Sequence, residues 1–158
     1  MSRARTPAGD AATKLILSTF RASGLFLDAG DLLSADEGLT SARWQVLGAI
    51  ALAERPLTVP QIGRRMGLTR QSVHASVNRL VNEGFLELRP NADHRTSSLI
   101  GLTKRGSARY EAIDARQVEW INQLSRGIAR SDIETAVRVL DELSRRLEDN
   151  RAAEGETR

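Results

Sequence analysis

Apolar residues recur every three or four positions over most of this chain, and that spacing predicts helices. Leu15, Thr19, Ala22 and Phe26 mark one side of a first long helix, with Ile16 and Phe20 beside them, and the pattern should stop near the polar run SADEG. Thr40 is expected to cap a second helix in which Trp44, Leu47, Gly48 and Ala51 share a face. That helix should end before Arg55-Pro56, because a proline pushes its predecessor out of the helical region. Thr58 starts a short third helix, TVPQIGRRM, which tolerates Pro60 because a first-turn N–H has no intrahelical acceptor. Gly67 breaks it, and Thr69 caps a fourth helix running to about Asn82. In this fourth helix the pattern divides into two faces: Val73, Val77, Leu80 and Val81 on one, and Gln71, His74, Ala75, Asn78 and Asn82 on the other.

Beyond Gly84 the period changes. FLELR alternates as a strand does, and FLELR and TSSLIGL read as two extended runs of a hairpin around the tip PNADHR. Thr103 opens a long helix marked by Ile113, Trp120, Ile121 and Leu124, which Gly127 interrupts. Ser131 and Glu134 have the S-x-x-E spacing of a capping box for a last helix, in which Ile133, Ala136, Val137, Leu140, Leu143 and Leu147 repeat. Residues 1–9 and 151–158 show no period and read as flexible tails. The outline is a mainly α chain forming one domain over 1–158, with a winged helix-turn-helix at 39–106: two short helices, a glycine turn and a two-stranded β wing. Long helices flank it at 10–33 and 104–150.

Composition narrows the function. A chain of 158 residues, 41% of them hydrophobic, can bury one core and is short for two. No apolar run nears the roughly 18 residues of a membrane span, and MSRARTPAGD lacks a secretory apolar stretch, so a cytoplasmic protein without membrane contact is expected. There is no cysteine, which removes disulfides, thiolate nucleophiles and the usual structural zinc ligands. The two histidines, His74 and His94, fit no metal spacing, and neither a phosphate-cradling glycine loop nor G-x-S-x-G occurs. Neither an enzyme nor a cofactor is expected.

The net charge of +3 is unevenly spread. Lys/Arg and Asp/Glu number six and six over residues 1–61, eight and three over 62–105, and nine and eleven over 106–158, balances of 0, +5 and −2. A basic centre between neutral and acidic flanks is the footprint of a surface that meets a polyanion, although a plain solvated face produces the same count.

The fourth helix offers short hydrogen-bonding side chains of the kind that read base edges in a major groove about 12 Å wide. Thr69, Arg70, Gln71 and Ser72 lie at its N-terminal end, where free N–H groups and the helix dipole favour a phosphate. Gln71 and Asn78 suit adenine, Arg70 suits guanine, Ala75 suits a thymine methyl, and His74 completes the exposed set. An amphipathic helix with a merely solvated face would satisfy the same pattern. In the hairpin, Arg89, Asn91, Asp93, His94, Arg95 and Thr96 are candidates for DNA contact, and Arg89, Lys104 and Arg105 suit backbone phosphates.

The ordered succession of LTSARWQVLGAI, Leu80, Gly84-Phe85, Asp93-His94-Arg95 and Leu102-Thr103-Lys104-Arg105-Gly106 resembles the MarR (multiple antibiotic resistance regulator) family. The resemblance covers residues 39–106 by motif and the remainder by helix layout. It implies that Arg95 enters a minor groove while Asp93 holds it by a charge-assisted hydrogen bond, and restricting a tip arginine beforehand does reduce the entropy lost on insertion. It also implies a homodimer joined by the first helix and the last two, acting as a sequence-specific repressor on a palindromic operator with half-sites roughly 10 bp apart. A small aromatic or anionic effector is implied too; Arg43 and Trp44 would lie near its cleft, though Trp44 also fits the core, and its site is unassigned. The absence of cysteine excludes the branch that senses oxidants through a thiol. Periodicity alone leaves open whether the terminal stripes bury against a partner or within one chain. A winged helix used for architectural DNA binding or protein docking is the alternative function.

Overall fold

The computed structural model describes residues 4–92 and 97–155. Its first helix, α1, spans Pro7–Ser34, and the Thr6 hydroxyl accepts the Gly9 N–H at 3.0 Å. Residues 7–9, expected as tail, are therefore helical. Pro7 is not a breaker here; at the first helical position its fixed φ favours the helix and its missing N–H costs nothing. After a 3₁₀ turn at Ala35–Glu37, Gly38 reverses the chain with φ +69°.

Helix α2, Ser41–Ala51, is the axis of the core. Val46, Leu47, Gly48, Ala49 and Ile50 are all buried, so the helix is enclosed around most of its circumference, not along one face as its sequence pattern implied. Trp44 and Ala51 are half-buried, and Trp44 packs against the core. Thr40 sits at the N-cap position, but its side chain caps no backbone N–H. Asp31 of α1 does that work, accepting the Ser41 N–H at 2.5 Å. The two helices come close because Gly30 has no side chain: a Cβ there would lie 2.5 Å from the Ser41 hydroxyl.

Helices α3 (Val59–Met66) and α4 (Arg70–Asn82) form the helix-turn-helix. Thr58 and Gln61 make a capping box, with the Thr58 N–H donating to Gln61 Oε1 at 2.9 Å. Gly67 turns the chain at φ +63°, a conformation that costs glycine least. Strands β1 (Leu86–Arg89) and β2 (Leu99–Leu102) pair antiparallel, Leu86 opposite Leu102 and Arg89 opposite Leu99. Strand β2 is shorter than the run TSSLIGL, because Ser97 and Ser98 lie outside the ladder. Its outer edge is occupied by Leu57, which exchanges hydrogen bonds of 3.0 and 2.8 Å with Ile100. This one-residue third strand had no sequence signal, since a single position has no period.

Helix α5, Lys104–Leu124, begins on a tight junction. The Thr103 hydroxyl accepts the Gly106 N–H at 3.0 Å and donates to the Gly84 carbonyl at 2.8 Å. A Cβ on Gly106 would collide with the Phe85 carbonyl oxygen. The Leu-Thr-x-x-Gly pattern is thus a device for seating a helix start on the turn that ends α4. Further along, Arg109 and Arg116 both hold Glu37, the latter at 2.7 Å, and Arg116 also meets Asp36 at 2.9 Å. Hydrogen bonding from Arg109 leads the causes that keep the Glu37 carboxyl below its ordinary value.

The chain divides into two compact units, Met1–Val118 and Glu119–Arg158, with the boundary inside α5. In the first, Leu47, Leu57, Ile62, Leu80, Ile100 and Ile113 are the largest fully buried apolar side chains. In the second, Gly127 (φ +83°) separates α5 from α6, Arg130–Gly155, and no described residue is buried. Helix α6 continues through residues expected as tail. It also starts one residue ahead of Ser131, so the S-x-x-E spacing caps nothing. The Asp132 and Ile133 N–H groups donate to Ala129 O at 3.0 and 3.3 Å, and Glu134 pairs with Arg130 at 2.6 Å. Among the described residues no helix is long and apolar enough to cross a membrane.

Candidate nucleic-acid interface

Helix α4 is held by one face and open on the other. Val73, Val77 and Leu80 are at most 3% exposed, which fixes the helix in the core by burial worth roughly 1.5–3 kcal/mol per side chain. The opposite face presents Arg70, Gln71, Ser72, His74, Ala75 and Asn78, with Ala75 alone among them flanking the half-buried Ser76. Thr69 caps this end, its hydroxyl accepting the Ser72 N–H at 3.1 Å, and Arg70 beside it forms no ion pair among the described residues. The structure therefore gathers the sequence-predicted residues of α4 on one accessible surface.

The C-terminal end of α4 is anchored through Glu83. Arg43 of α2, with 14% of its side chain exposed, places Nη1 3.2 Å from both Glu83 carboxylate oxygens and donates from Nη2 to the Gly38 carbonyl at 3.1 Å. Arg79 adds a second guanidinium at 2.9 Å. Arg43 is a clamp on the end of α4. Opposite charges forty positions apart carry no local signal, so sequence reasoning missed this arrangement.

The wing residues divide. Arg89 pairs with Glu87 at 2.5 Å and lies over Gly101, where a Cβ would come within 3.2 Å of its guanidinium carbon. Asn91 donates to the Ser97 carbonyl at 2.8 Å across the neck of the hairpin. Asp93, His94, Arg95 and Thr96 lie outside the described residues. Arg105 stacks on the Phe85 ring, 4.6 Å from its centroid, and donates to the Glu83 carbonyl at 2.9 Å, so its guanidinium serves the junction; Lys104 is exposed.

Two hollows flank the wing. One, of about 360 Å³, lies between the end of α2, the strands and α5, and includes Ile50, Arg55, Arg89, Leu102 and Tyr110. Burial, and then the charge and hydrogen bond of Asp114, raise the Tyr110 phenol above its ordinary value. The other, of about 570 Å³, lies between α3 and the wing.

A buried-face helix after a glycine turn, followed by a paired hairpin, defines a winged helix-turn-helix of the DNA-binding class. The sequence profile of the MarR family matches residues 37–95. An uncharacterised protein of Mycobacterium tuberculosis is 43% identical over 116 residues, covering 73% of this chain and 80% of that protein. The transcriptional activatory protein BadR of Rhodopseudomonas palustris is 23% identical over 150 residues, covering 90% and 85%. The fold matches that of the M. tuberculosis regulator MosR in complex with DNA, with TM-score 0.69, 17% identity and coverage of 84% and 96%. The chain belongs to the MarR family of transcriptional regulators.

Proposed function

We propose that this chain is a homodimeric repressor that recognises an inverted-repeat operator in the cytoplasm and is released from it by a small aromatic or anionic effector. The observation that carries the reading is the exposed face of α4, where Gln71, Ala75 and Asn78 stand clear of a helix locked by Val73, Val77 and Leu80. Side chains so placed can meet base edges in a major groove. In this reading Arg95 enters the neighbouring minor groove and Asp93 restrains it, as the Asp-x-Arg spacing implies.

Exposed apolar side chains support the dimer. Phe20 and Leu32 of α1 are 71% and 80% exposed in the single chain, and Val137 and Leu147 of α6 are 51% and 65% exposed. Apolar stripes of this length are costly in water and mark contact surfaces. The 360 Å³ hollow supports the effector, since it is of ligand size and sets Tyr110 and both charge signs, Arg55 and Arg89 with Glu54 and Glu111, beside apolar Ile50 and Leu102.

The test is selection of bound fragments from genomic DNA, followed by competition between the selected site and bulk duplex. A regulator prefers its site by roughly a thousandfold or more. Equal affinity for both would leave an architectural binder instead. The likeness to an activatory protein favours one second reading, activation from the same kind of site. Deleting the gene and measuring transcripts beside the selected site separates the two: a rise means repression, a fall means activation.

A further inference from the structure

The hollow between α3 and the wing combines features that a solvated crevice does not need. Its volume is about 570 Å³, and it is bordered by Arg55, Thr58, Gln61 and Arg64 on the side of α3 and by Asn91 and Ser97 on the side of the wing. Arg55 and Arg64 are exposed and form no ion pair among the described residues. Most other arginines of the first unit that border the wing and α4 are engaged: Arg43 and Arg79 with Glu83, Arg89 with Glu87, Arg105 with a carbonyl and a ring. Among the described residues the lining holds no carboxylate. The rest of the lining is Pro56, Pro60 and Leu99, and Arg55 also borders the first hollow beside Glu54 and Glu111, so the two guanidiniums, neither in an ion pair among the described residues, stand over a largely uncharged wall and leave a local positive potential that attracts an anion.

The position of the hollow identifies the anion. Helix α3 packs on α4, and the proposed function directs the wing at the same duplex as α4. A major groove and the adjacent minor groove are divided by one sugar-phosphate strand, so the protein surface joining the two reading elements has to cross phosphates. We infer that Arg55 and Arg64 form a phosphate-binding saddle, which seats that strand between α3 and the wing and sets the register of α4 without reading sequence. Thr58 and Gln61 are committed to their capping box and supply the rigid wall, while the arginines supply the charge.

This inference rests on the proposed DNA-binding function, and the test keeps the two apart. Wild type, Arg55→Gln/Arg64→Gln and Arg55→Lys/Arg64→Lys would be titrated with a selected site and with an unrelated duplex of about three helical turns, over a series of salt concentrations. Both arginines are exposed, so the variants should melt as wild type does. The expected result is weaker binding of the glutamine variant to both duplexes by the same factor, with the slope of log affinity against log salt shallower by about 0.9 for each phosphate no longer neutralised. The lysine variant should keep the wild-type slope, because a phosphate accepts a point charge. An unchanged slope in the glutamine variant overturns the saddle while leaving the DNA-binding function intact. Weakening on the selected site alone overturns it too, by making these residues base readers. If wild type binds neither duplex, the DNA-binding reading itself fails.

Discussion

The central module and the terminal helices use the same helical periodicity to opposite ends. Every buried hydrophobic residue among those described falls between Leu39 and Ile113, on α2, α3, α4, the wing, the first half of α5 and the turns that join them. Helix α1 buries only Gly30 and Ser34, and α6 buries nothing among its described residues. The module from 39 to 113 thus buries most of its apolar surface within one chain, Leu52 and Leu88 excepted, whereas the stripes of α1 and α6 remain in water until something covers them. An apolar stripe states that a face wants burial; it does not state in whose core.

The largest effects are expected inside the module. Leu80→Ala removes a fully buried side chain and should cost about 2–5 kcal/mol of stability, independent of protein concentration, as read by chemical denaturation. A cost that varied with concentration would mean that the module is not self-sufficient. Gly106→Ala comes next, at about 1–3 kcal/mol, because its methyl would drive α5 off the Phe85 carbonyl; the same melts report it.

The terminal stripe should behave differently. Phe20→Ser, at a side chain 71% exposed, should leave melting of the isolated chain unchanged yet weaken self-association by roughly 2 kcal/mol, seen by light scattering over a dilution series. No change in association would remove α1 from the dimer surface. On the α4 face, Gln71→Ala and Asn78→Ala should each cost about 1–3 kcal/mol at one base pair of the selected site and leave bulk-duplex binding alone. A uniform weakening would reassign them to phosphates.

The smallest effect concerns acid. The arginines beside Glu37 hold its folded carboxyl below the ordinary 4.5, so the linkage stabilises the fold fully above that value and is lost as pH falls through the depressed folded one. Glu37→Gln should flatten the loss of stability in that acidic range when melts are compared across pH, with little difference in the basic range.

Much of the module was legible. The glycine turn at Gly67, the Thr69 cap, the two faces of α4 and the Thr103 helix start all depend on residues within four positions of one another, and such local chemistry is written directly in sequence. Boundaries are harder where one local signal competes with another: Pro7 opens the first turn of α1 although prolines also mark tails, and Ser131 has the spacing of a cap although its helix has already begun. The intrachain partners of Arg43, Arg89 and Arg105 were not legible, because each depends on which carboxylate, carbonyl or ring the fold delivers to it.

Sequence by itself determined the periods, the Thr69 cap, the turn glycines and the family, since these follow from neighbours along the chain and the order of short motifs. Tertiary structure alone decided that Asp31 caps α2, that Leu57 completes the sheet beside Ile100, that Glu83 is gripped by Arg43, and that Arg55 and Arg64 are left uncompensated on one hollow. The reason is physical: a charge or a hydrogen-bonding group acts on whatever lies within a few ångströms, and only the folded path of the backbone brings distant positions that close.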